Sequence, residues 1–545
     1  MMSSKKWRRA IALAIVLSSM VTLVGPVSAR TQSTTNPTTI TVRGGGWGHG
    51  VGMSQYGAYG RAANGDTHEQ ILGFYYPGSV LTKVDTLDDL RVHIQSAEGT
   101  IVTPNKDADL EIVDSEGNLI FNHRNGKRLT IRRVPGSFTV VRANTTGGRN
   151  LCIAGDGTDR CKGREIRIRF AQGEPIKVDA INRVSIGSTG NSYQWGELII
   201  SRRSIDPTRT LWVVLGGLTM DQYIYGLAEV PASWPSETLQ AQAVAGRTYG
   251  YDRATSRRVS KNWTHPWDLY STVDDQVYNG LAKEIGPFGP PWTQAVDATS
   301  GEVLLHNGEP ITAFYSSSNG GFTEDSGYVF AKSLPYLQPA RDTEDDFQNP
   351  FASWTRDYTG KELGQWLANS SVGGVGSVKN VKISGNVGAS GRVDRATVTI
   401  TGSKGTMEIT GSQFRNVINA GVVAAGGGLS RQVLSTKYVV RVTGGSDPVG
   451  AIDVIKRRGE TVRVTGWVFD PDSASPVEVQ IRVDDAVVET ITAGQSRFDI
   501  DAVFGQGTSR GYDTRITVGP GAHQVCVYAQ NIFGTGRMLL GCKVV

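Results

Sequence analysis

YIYGLAEVPASWPSETLQAQAVAGRTYGY, residues Tyr223–Tyr251, is the most informative stretch of the chain. It places one carboxylate, Glu229, among apolar neighbours just before a predicted helix. If the fold keeps those surroundings dry, desolvation disfavours the ionised carboxylate and raises its pKa. A glutamate tuned in this way can donate a proton near neutral pH. The alternative is an ordinary charged residue at the end of a strand, because most carboxylates are structural or solvated.

The helix after Glu229 has its own start signals. Pro235 ends the preceding structure, Ser236 is predicted to cap the helix, and Glu237 falls in its positive first turn. Arg247 shares a helix face with Gln240, so its guanidinium is predicted to reach a carboxylate or a substrate oxygen. A structural salt bridge is the role that its place in the sequence favours for this arginine.

A glycine-rich loop lies far upstream in TVRGGGWGHGVGMSQYGAYGRAANG, residues Thr41–Gly65. Glycines let a backbone turn tightly and approach a ligand closely, and His49 and Gln55 are the polar groups that such a loop presents. The loop does not fit the dinucleotide pattern G-x-G-x-x-G. Ser54 also misses the G-x-S-x-G nucleophile pattern, because Tyr56 stands where glycine is required. A structural role for His49 is the alternative.

Composition predicts a strand-rich α+β protein of about three folding units. The chain has 545 residues, 67 of them glycine, with 39% hydrophobic and 20% charged residues. The net charge is +5, yet Lys and Arg form no basic stripe interleaved with aromatic residues, which argues against nucleic acid as a partner.

The N-terminus predicts export. Basic residues precede an apolar run over Ile11–Val24, and small residues follow at Val27–Ala29, so a secretory signal peptide is predicted over 1–29. A polar linker is predicted over 30–40. The mature chain is expected to be secreted or wall-associated, without stable membrane insertion, while an uncleaved anchor remains the alternative.

Four further segments follow. A core is predicted from 41–85 together with 205–440, interrupted by a β-rich insert over 86–204. Turn signals at regular spacing predict a β-sandwich over 446–545, with Trp467 in its core. The sequence also predicts helices over Thr67–Tyr76 and Ser412–Ala420 and a hairpin turn at His306–Gly308.

Four cysteines form two local pairs in the exported portion, Cys152 with Cys161 and Cys526 with Cys542. Two disulfides are predicted, although four cysteines allow three connectivities and free thiols remain open. The three aspartates of Asp268–Gly280 match no EF-hand pattern, so this segment is predicted to be a solvated loop. Ser316–Ser318 have no His and Asp arrangement that would support a serine hydrolase.

Several separate motifs resemble the SpoIID/LytB family of bacterial cell-wall proteins. The resemblance covers roughly residues 41–80 and 211–434 and is carried by GWGHGVGMSQYGA at Gly46–Ala58, YGLAEVPASWPSETLQAQAVAGRTY at Tyr225–Tyr249, GEVLLHNGEPITAFYSSSNGG at Gly301–Gly321, PYL at Pro335–Leu337 and GSQFRNVI at Gly411–Ile418. The C-terminal segment resembles, more weakly, domains appended to exported actinobacterial wall enzymes.

This resemblance implies a SpoIID-like catalytic core and lytic transglycosylation of peptidoglycan, with Glu229 as the single acid and base. One carboxylate can suffice because the 6-hydroxyl of muramic acid attacks C1, whereas hydrolysing glycosidases need two carboxyl groups. The LytB branch implies another role, enhancement of a cell-wall amidase, which would then be a partner. Peptidoglycan glycan strands are the predicted ligand, and the predicted substrate-binding residues are His49, Ser54, Gln55, Arg247, Ser317 and Ser318.

Two departures from the family pattern stand out. The GHGVGMSQ motif usually lies near the C-terminus of the domain, whereas here it comes first, so the fold must bring His49 and Gln55 to Glu229. Many members also carry Cys and His ligands of a zinc site before the QVY sequence. This chain has Tyr270, Asp274 and Asp275 in that loop, so no zinc and no other cofactor is predicted.

Overall fold

The computed structural model describes residues 36–545 apart from 107, 125, 134–139, 144–148, 153–164, 182–189, 203–209, 446, 472 and 533–536. The predicted signal peptide over 1–29 and the predicted Cys152–Cys161 disulfide lie outside the described residues. The described chain divides into two compact units, Pro37–Thr443 and Gly444–Val545. Helices and strands both contribute, which confirms the α+β class.

The strands of the larger unit are β1 (Asn36–Gly44), β2 (Met53–Ser54), β3 (Val80–Lys83), β4 (Leu90–Ala97), β5 (Gly99–Pro104), β6 (Leu110–Asp114), β7 (Leu119–His123), β8 (Leu129–Arg133), β9 (Val140–Ala143), β10 (Arg149–Cys152), β11 (Glu165–Arg169), β12 (Ile176–Ile181), β13 (Asn191–Tyr193), β14 (Glu197–Arg202), β15 (Leu211–Leu218), β16 (Leu269–Tyr270), β17 (Glu302–His306), β18 (Glu309–Pro310), β19 (Tyr315–Ser316), β20 (Trp354–Thr359), β21 (Val378–Ser384), β22 (Thr397–Gly402), β23 (Gly405–Thr410) and β24 (Tyr438–Gly445). Its helices are α1 (Gln55–Ala63), α2 (His68–Tyr75), α3 (Met220–Tyr225), α4 (Ser236–Val259), α5 (Leu281–Glu284), α6 (Gly289–Ala298), α7 (Ser326–Val329), α8 (Gly360–Ala368) and α9 (Gly411–Ala424), with 3-10 turns over Thr343–Asp346 and Leu429–Arg431. The second unit contains β25 (Val449–Arg458), β26 (Thr461–Phe469), β27 (Glu478–Val483), β28 (Ala486–Thr492), β29 (Gln495–Ser496), α10 (Phe498–Phe504), β30 (Ser509–Thr517), β31 (Gln524–Gln530) and β32 (Arg537–Val544).

Strand β1 begins inside the stretch predicted as a linker over 30–40, because Ile40 and Val42 are fully buried against the core of the larger unit. Its partner is β20, with Ile40 opposite Tyr358 in antiparallel register. Alternate apolar side chains therefore extend a strand into the polar stretch. Among the described residues, no helix has the length and apolar content that crossing a membrane requires.

A seven-stranded sheet in the order β16-β4-β15-β14-β11-β6-β7 crosses the predicted end of the insert at residue 204. Strand β14 lies antiparallel to β15, with Leu198 opposite Leu215. Both side chains point into one buried cluster, whereas Ile199, one residue along, faces the opposite side. The predicted insert and the predicted core thus share a sheet.

Apolar side chains on both sides of Glu229 in the sequence are part of the buried cluster of this sheet. Tyr223, Leu227, Val230 and Leu239 are buried together with strand residues. The small residues of α4 permit this close packing, since a Cβ at Gly246 would lie 2.6 Å from a methyl of Leu227. The segment that carries the candidate carboxylate is therefore anchored on both sides by apolar burial.

Two predicted helices and a predicted hairpin turn are present in the structure. Helix α2 confirms the predicted helix, and its capping box pairs Thr67 with Gln70. Helix α9 and the hairpin turn at Asn307, whose φ is 54°, also confirm the sequence predictions. The predicted cap at Ser236 is wrong: Pro235 occupies the capping position and Ser236 is already helical, so its hydroxyl accepts from Gln240 Nε2 at 2.8 Å.

The second unit consists of two four-stranded antiparallel sheets, β25-β26-β30-β29 and β28-β27-β31-β32, around one apolar cluster. The Cys526–Cys542 disulfide joins neighbouring strands β31 and β32, as predicted. Trp467 does not belong to that cluster, contrary to prediction. It is half-buried and contacts Phe469 and Phe504, because its position on β26 points away from the inner face.

Candidate active site

Glu229 and the glycine-rich loop share one cleft of about 640 Å³. Parallel pairing of β2 with β19, Tyr315 opposite Met53, joins the loop to the serine-containing segment. The fold thus compensates for the permuted order of the motifs. The cleft is lined by Trp47, Gly48, His49, Gln55, Ala228, Glu229, Tyr249, Arg253, Val273, Asp274, Asp275, Val277, Phe314, Tyr315, Ser316, Ser317 and Phe330.

Glu229 lies partly buried at the cleft wall. Its Oε1 accepts a hydrogen bond from the backbone N–H of Val277 at 2.6 Å, while Ala228 N donates to the carbonyl of Val277 at 2.8 Å. Burial raises the pKa of the Glu229 carboxyl, and the Val277 hydrogen bond, the side chains of Gln55 and Tyr315, and the charge of Lys283 oppose that rise. Desolvation prevails, so the carboxyl retains its proton to a higher pH than an exposed glutamate does.

Lys283 of α5 lies behind Glu229. Its ammonium donates to the carbonyl of Val230 and stands 4.7 Å from the ring centroid of Trp292. Burial lowers its pKa to about 8, against the attraction of the Glu229 carboxylate. The lysine is thus a cation that attracts the ionised form of Glu229 from the protein interior.

His49 is held as a neutral ring. Its Nδ1 accepts from Val51 N–H at 3.0 Å, which places the ring proton on Nε2. The ring makes edge contacts with Phe314 and Phe330, at centroid distances of 5.7 and 5.1 Å. Burial, assisted by the charge of Arg392, lowers the pKa of His49 to about 3. At neutral pH His49 therefore shapes the cleft and does not exchange protons there.

Gln55 is the first residue of α1 and is buried. Its Nε2 donates to Gln242 Oε1 at 3.2 Å, and its side chain lines the cleft beside Glu229 and favours the ionised form of that carboxyl. Gln55 thus connects the glycine-rich loop directly to the candidate carboxylate. Ser317 lines the cleft as well, and its contact with substrate stays a prediction.

Ser54 and Ser318 are corrections to the predicted substrate-binding set. Both are fully buried, and both hydroxyls donate to the carboxylate of Asp345, Ser318 at 2.8 Å. Ser54 also caps α1 by accepting from Gly57 N at 3.2 Å. Because their hydroxyls are used to join loops inside the protein, neither can reach a ligand in the cleft.

Arg247 is a third correction. Its side chain is fully buried and pairs with Asp221 at 2.8 Å, and it donates to the carbonyls of Val296 and Glu302. It does not line the cleft, since its helix face points at α3 and α6. Arg247 therefore forms a structural salt bridge and does not bind substrate in the cleft.

The aspartate-containing loop before Gln276 was predicted to be solvated, and this is wrong for two of its carboxylates. Asp268 is buried and accepts from Arg258 at 2.8 Å. The Asp275 side chain is 1% exposed and accepts from Arg257 at 2.6 Å and from Tyr249 O–H at 3.2 Å. Only Asp274 of the three is exposed, because long arginines of α4 fold back onto the loop.

The residues that sequence reasoning missed are Tyr249, Arg253, Gln276, Phe314 and Tyr315. All but Gln276 line the cleft, and Gln276 lies directly behind it. Their types carry no catalytic pattern, and only Tyr249, Phe314 and Tyr315 lie inside the motifs that carry the family resemblance. Among the described residues no group of three His, Cys, Asp or Glu side chains is arranged to hold a metal ion. The expectation about zinc stays a prediction.

The central region of the chain is similar in sequence to known bacterial proteins. A family profile described as Stage II sporulation protein (SpoIID) matches residues 210–306. The amidase enhancer of Bacillus subtilis is 41% identical over 135 residues, which are 25% of this chain and 16% of that protein. Stage II sporulation protein D of Bacillus subtilis is 29% identical over 177 residues, 30% of this chain and 50% of that protein. The chain thus spans half or less of the length of these relatives.

Proposed function

We propose that the chain is a peptidoglycan lytic transglycosylase that cleaves the bond between N-acetylmuramic acid and N-acetylglucosamine, and the match of its central region to the SpoIID family supports this. The product is a 1,6-anhydro end on the muramic acid. The observation that carries this proposal is the position of the Glu229 carboxyl on the wall of a cleft large enough for sugar rings, where burial raises its pKa.

In the proposed reaction Glu229 first donates its proton to the glycosidic oxygen as the bond from C1 to that oxygen breaks. The ionised Glu229 then removes the proton of the muramic acid 6-hydroxyl, whose oxygen forms the new bond to C1. No water is consumed, and Glu229 ends the cycle protonated. A raised pKa suits the first step, because the acid must hold its proton in the free enzyme.

The other carboxylates of the cleft support a mechanism with one acid and base. Asp275 is bound by two N–H groups of Arg257 and by Tyr270 N–H, so it is held as a buried ion-pair partner. Asp274 is exposed, and its carboxylate accepts from Thr272 O–H at 2.8 Å. Asp275 is therefore occupied by its arginine, and Asp274 is open to solvent.

The test is digestion of purified glycan strands followed by mass analysis of the products. We expect 1,6-anhydro ends from the wild type, and their loss in Glu229→Gln, which keeps the side-chain size and removes the acid. Glu309→Gln, on an exposed hairpin, serves as the matched control. Absence of anhydro ends from the wild type, or their persistence in Glu229→Gln, contradicts the proposal.

A second candidate function is a non-catalytic modifier of a cell-wall amidase. The 41% identity to a protein named amidase enhancer favours it. In that case the chain stimulates amide cleavage by a purified wall amidase, and Glu229→Gln stimulates equally well. Assaying both variants for anhydro ends and for amidase stimulation separates the two functions.

Both candidate functions require export, which we propose from the predicted signal peptide. Fractionation of producing cells, with N-terminal sequencing of the mature protein, tests this. We expect a protein in the medium or wall fraction that lacks the first 29 residues.

A further inference from the structure

Tyr315 presents its phenol to two acceptors at once. The residue lies in β19 at the cleft wall, and its hydroxyl donates to Gln276 Oε1 at 2.7 Å. Glu229 lines the same cleft and accepts from the N–H of Val277, the residue next to Gln276, and the Tyr315 side chain is among the groups that favour the ionised form of its carboxyl. A phenol carries one proton, so it can donate to only one of the two acceptors at a time.

Gln276 is fixed in the orientation that offers this competing acceptor. It is 1% exposed, and its Nε2 donates to Tyr223 Oη at 3.0 Å and to the carbonyl of Gly246 at 3.3 Å. A carbonyl can only accept, so the amide nitrogen must face Gly246. The oxygen Oε1 is therefore directed at Tyr315.

We infer that Tyr315 is a positioning residue for Glu229, whose phenol proton turns from Gln276 to Glu229 when the carboxyl ionises and returns when it is protonated. With Glu229 protonated, the phenol donates to Gln276, and its oxygen is free to accept from the carboxyl O–H. With Glu229 ionised, the phenol donates to the carboxylate. This inference rests on the proposed function and adds a device that accommodates both protonation states.

The device suits a residue that acts first as acid and then as base. After proton donation, Glu229 carries a negative charge in a desolvated site, and a hydrogen bond from a neutral phenol stabilises it. Burial keeps Tyr315 itself protonated, because its pKa is raised well above the usual value. The phenol thus moves its hydrogen bond and keeps its proton.

Other groups facing Glu229 remain unchanged when Tyr315 is altered. The donors Val277 N–H and Gln55 persist, and the titratable or charged groups around the pair are Lys283 from α5, Tyr223 from α3, Tyr249 from α4 and Asp275 from the loop before Gln276. A change in titration after substitution at Tyr315 therefore reports the phenol.

The experiment compares Tyr315→Phe with Gln276→Met and with the control Tyr438→Phe, another buried tyrosine, whose hydroxyl donates to Gly411 O at 2.9 Å remote from the cleft. Loss of the phenol removes a hydrogen bond to the ionised form of Glu229, so the pH midpoint at which this carboxyl titrates rises. Anhydro-product formation falls about tenfold, and its alkaline limb moves to higher pH. Gln276→Met removes the competing acceptor, so the midpoint falls. Tyr438→Phe leaves the midpoint unchanged.

A second readout does not depend on activity. Difference infrared spectroscopy follows the protonated carboxyl band of Glu229, identified by its loss in Glu229→Gln, as pH is varied. Circular dichroism establishes that each variant is folded. Midpoints that move in opposite directions in Tyr315→Phe and Gln276→Met support the inference. Midpoints that stay at the wild-type value, or move together, overturn it. A wild type without anhydro products rejects the proposed function, and the infrared midpoints still decide the role of Tyr315.

Discussion

Arg392 donates through Nη1 to the carbonyl oxygen of Gly48 at 2.9 Å, which ties a loop of the β21–β22 connection to the glycine-rich loop 344 residues earlier in the chain. The arginine is fully buried, and its guanidinium packs against the backbone of Gly50. A Cβ at Gly50 would lie 2.3 Å from the guanidinium, so only glycine fits there. Burial lowers the pKa of Arg392 to about 10, so it remains charged at neutral pH. The His49 loop therefore depends on a cation that is remote in sequence.

Arg392→Met is expected to destabilise the protein by about 3 kcal/mol, because the carbonyls of Gly48 and Asn319 lose their buried donor. Urea unfolding followed by circular dichroism measures the change. Arg395→Met, an arginine in the same connection with a more exposed side chain, serves as the control and is expected to cost less. Equal losses from the two substitutions would contradict the special role of Arg392.

The buried carboxylate of Asp345 accepts hydrogen bonds from both the glycine-rich loop and the serine-containing loop. It accepts from Ser54 and Ser318 hydroxyls and from backbone N–H groups such as Gly320 at 2.9 Å. Asp345→Asn replaces an acceptor oxygen with a donor, so we expect a loss of about 3 kcal/mol and a lower melting temperature. Ser318→Ala removes one of these bonds and is expected to cost about 1 kcal/mol. A neutral effect of Asp345→Asn in thermal unfolding would show that this cluster is not stabilising.

His49 makes stability depend on pH in the acid range. Its folded-state pKa of about 3 lies below the usual 6.5, so the unfolded chain binds more protons between these values and stability falls as pH falls from about 6.5 towards 3. We expect this residue to account for about 2 kcal/mol of the stability lost between pH 7 and pH 5. His93, whose pKa burial lowers to about 4, adds a slope of the same sign.

The measurement is urea unfolding of wild type and His49→Asn at pH 7 and pH 5. The difference between the two proteins isolates His49, since His93 is present in both. If His49→Asn retains the full wild-type pH dependence, burial of a neutral ring at this position is not the cause.

Asp274 distinguishes a one-carboxylate mechanism from hydrolysis by two carboxylates. It lies exposed at the cleft, so in the proposed reaction Asp274→Asn lowers the rate of glycan cleavage by at most about threefold. An enzyme that used it as base or nucleophile would lose activity by more than about a hundredfold. Comparing rates of Asp274→Asn and Glu229→Gln on the same glycan, with the products checked for anhydro ends, measures this directly.

The sequence predicted what depends on local pattern. Leu227 and Val230, which flank Glu229 in the sequence, are buried in the core, and the helix predicted over Thr67–Tyr76 is present as α2. The shared cleft of His49 and Glu229 also follows from the motifs, although it depends on strand pairing between distant segments.

Several predictions failed where burial decides the role of a polar side chain. Arg247, Ser54 and Ser318 have residue types that bind sugars at a surface, yet each is fully buried and partnered inside the protein. Asp275 was predicted to be solvated because the sequence does not reveal that Arg257, eighteen residues earlier, folds back onto it. Such pairings depend on tertiary packing.

The pairing of β14 with β15 limits how this protein can be shortened or recombined. Strand β15 has β14 on one side and β4 on the other, and both belong to the segment predicted as an insert. Deleting 86–204 would leave β15 with both edges unpaired and its apolar residues uncovered, which favours aggregation. A minimal fragment that keeps the candidate active site must therefore retain that segment, and a homologous insert can replace it only by supplying two strands in the same register.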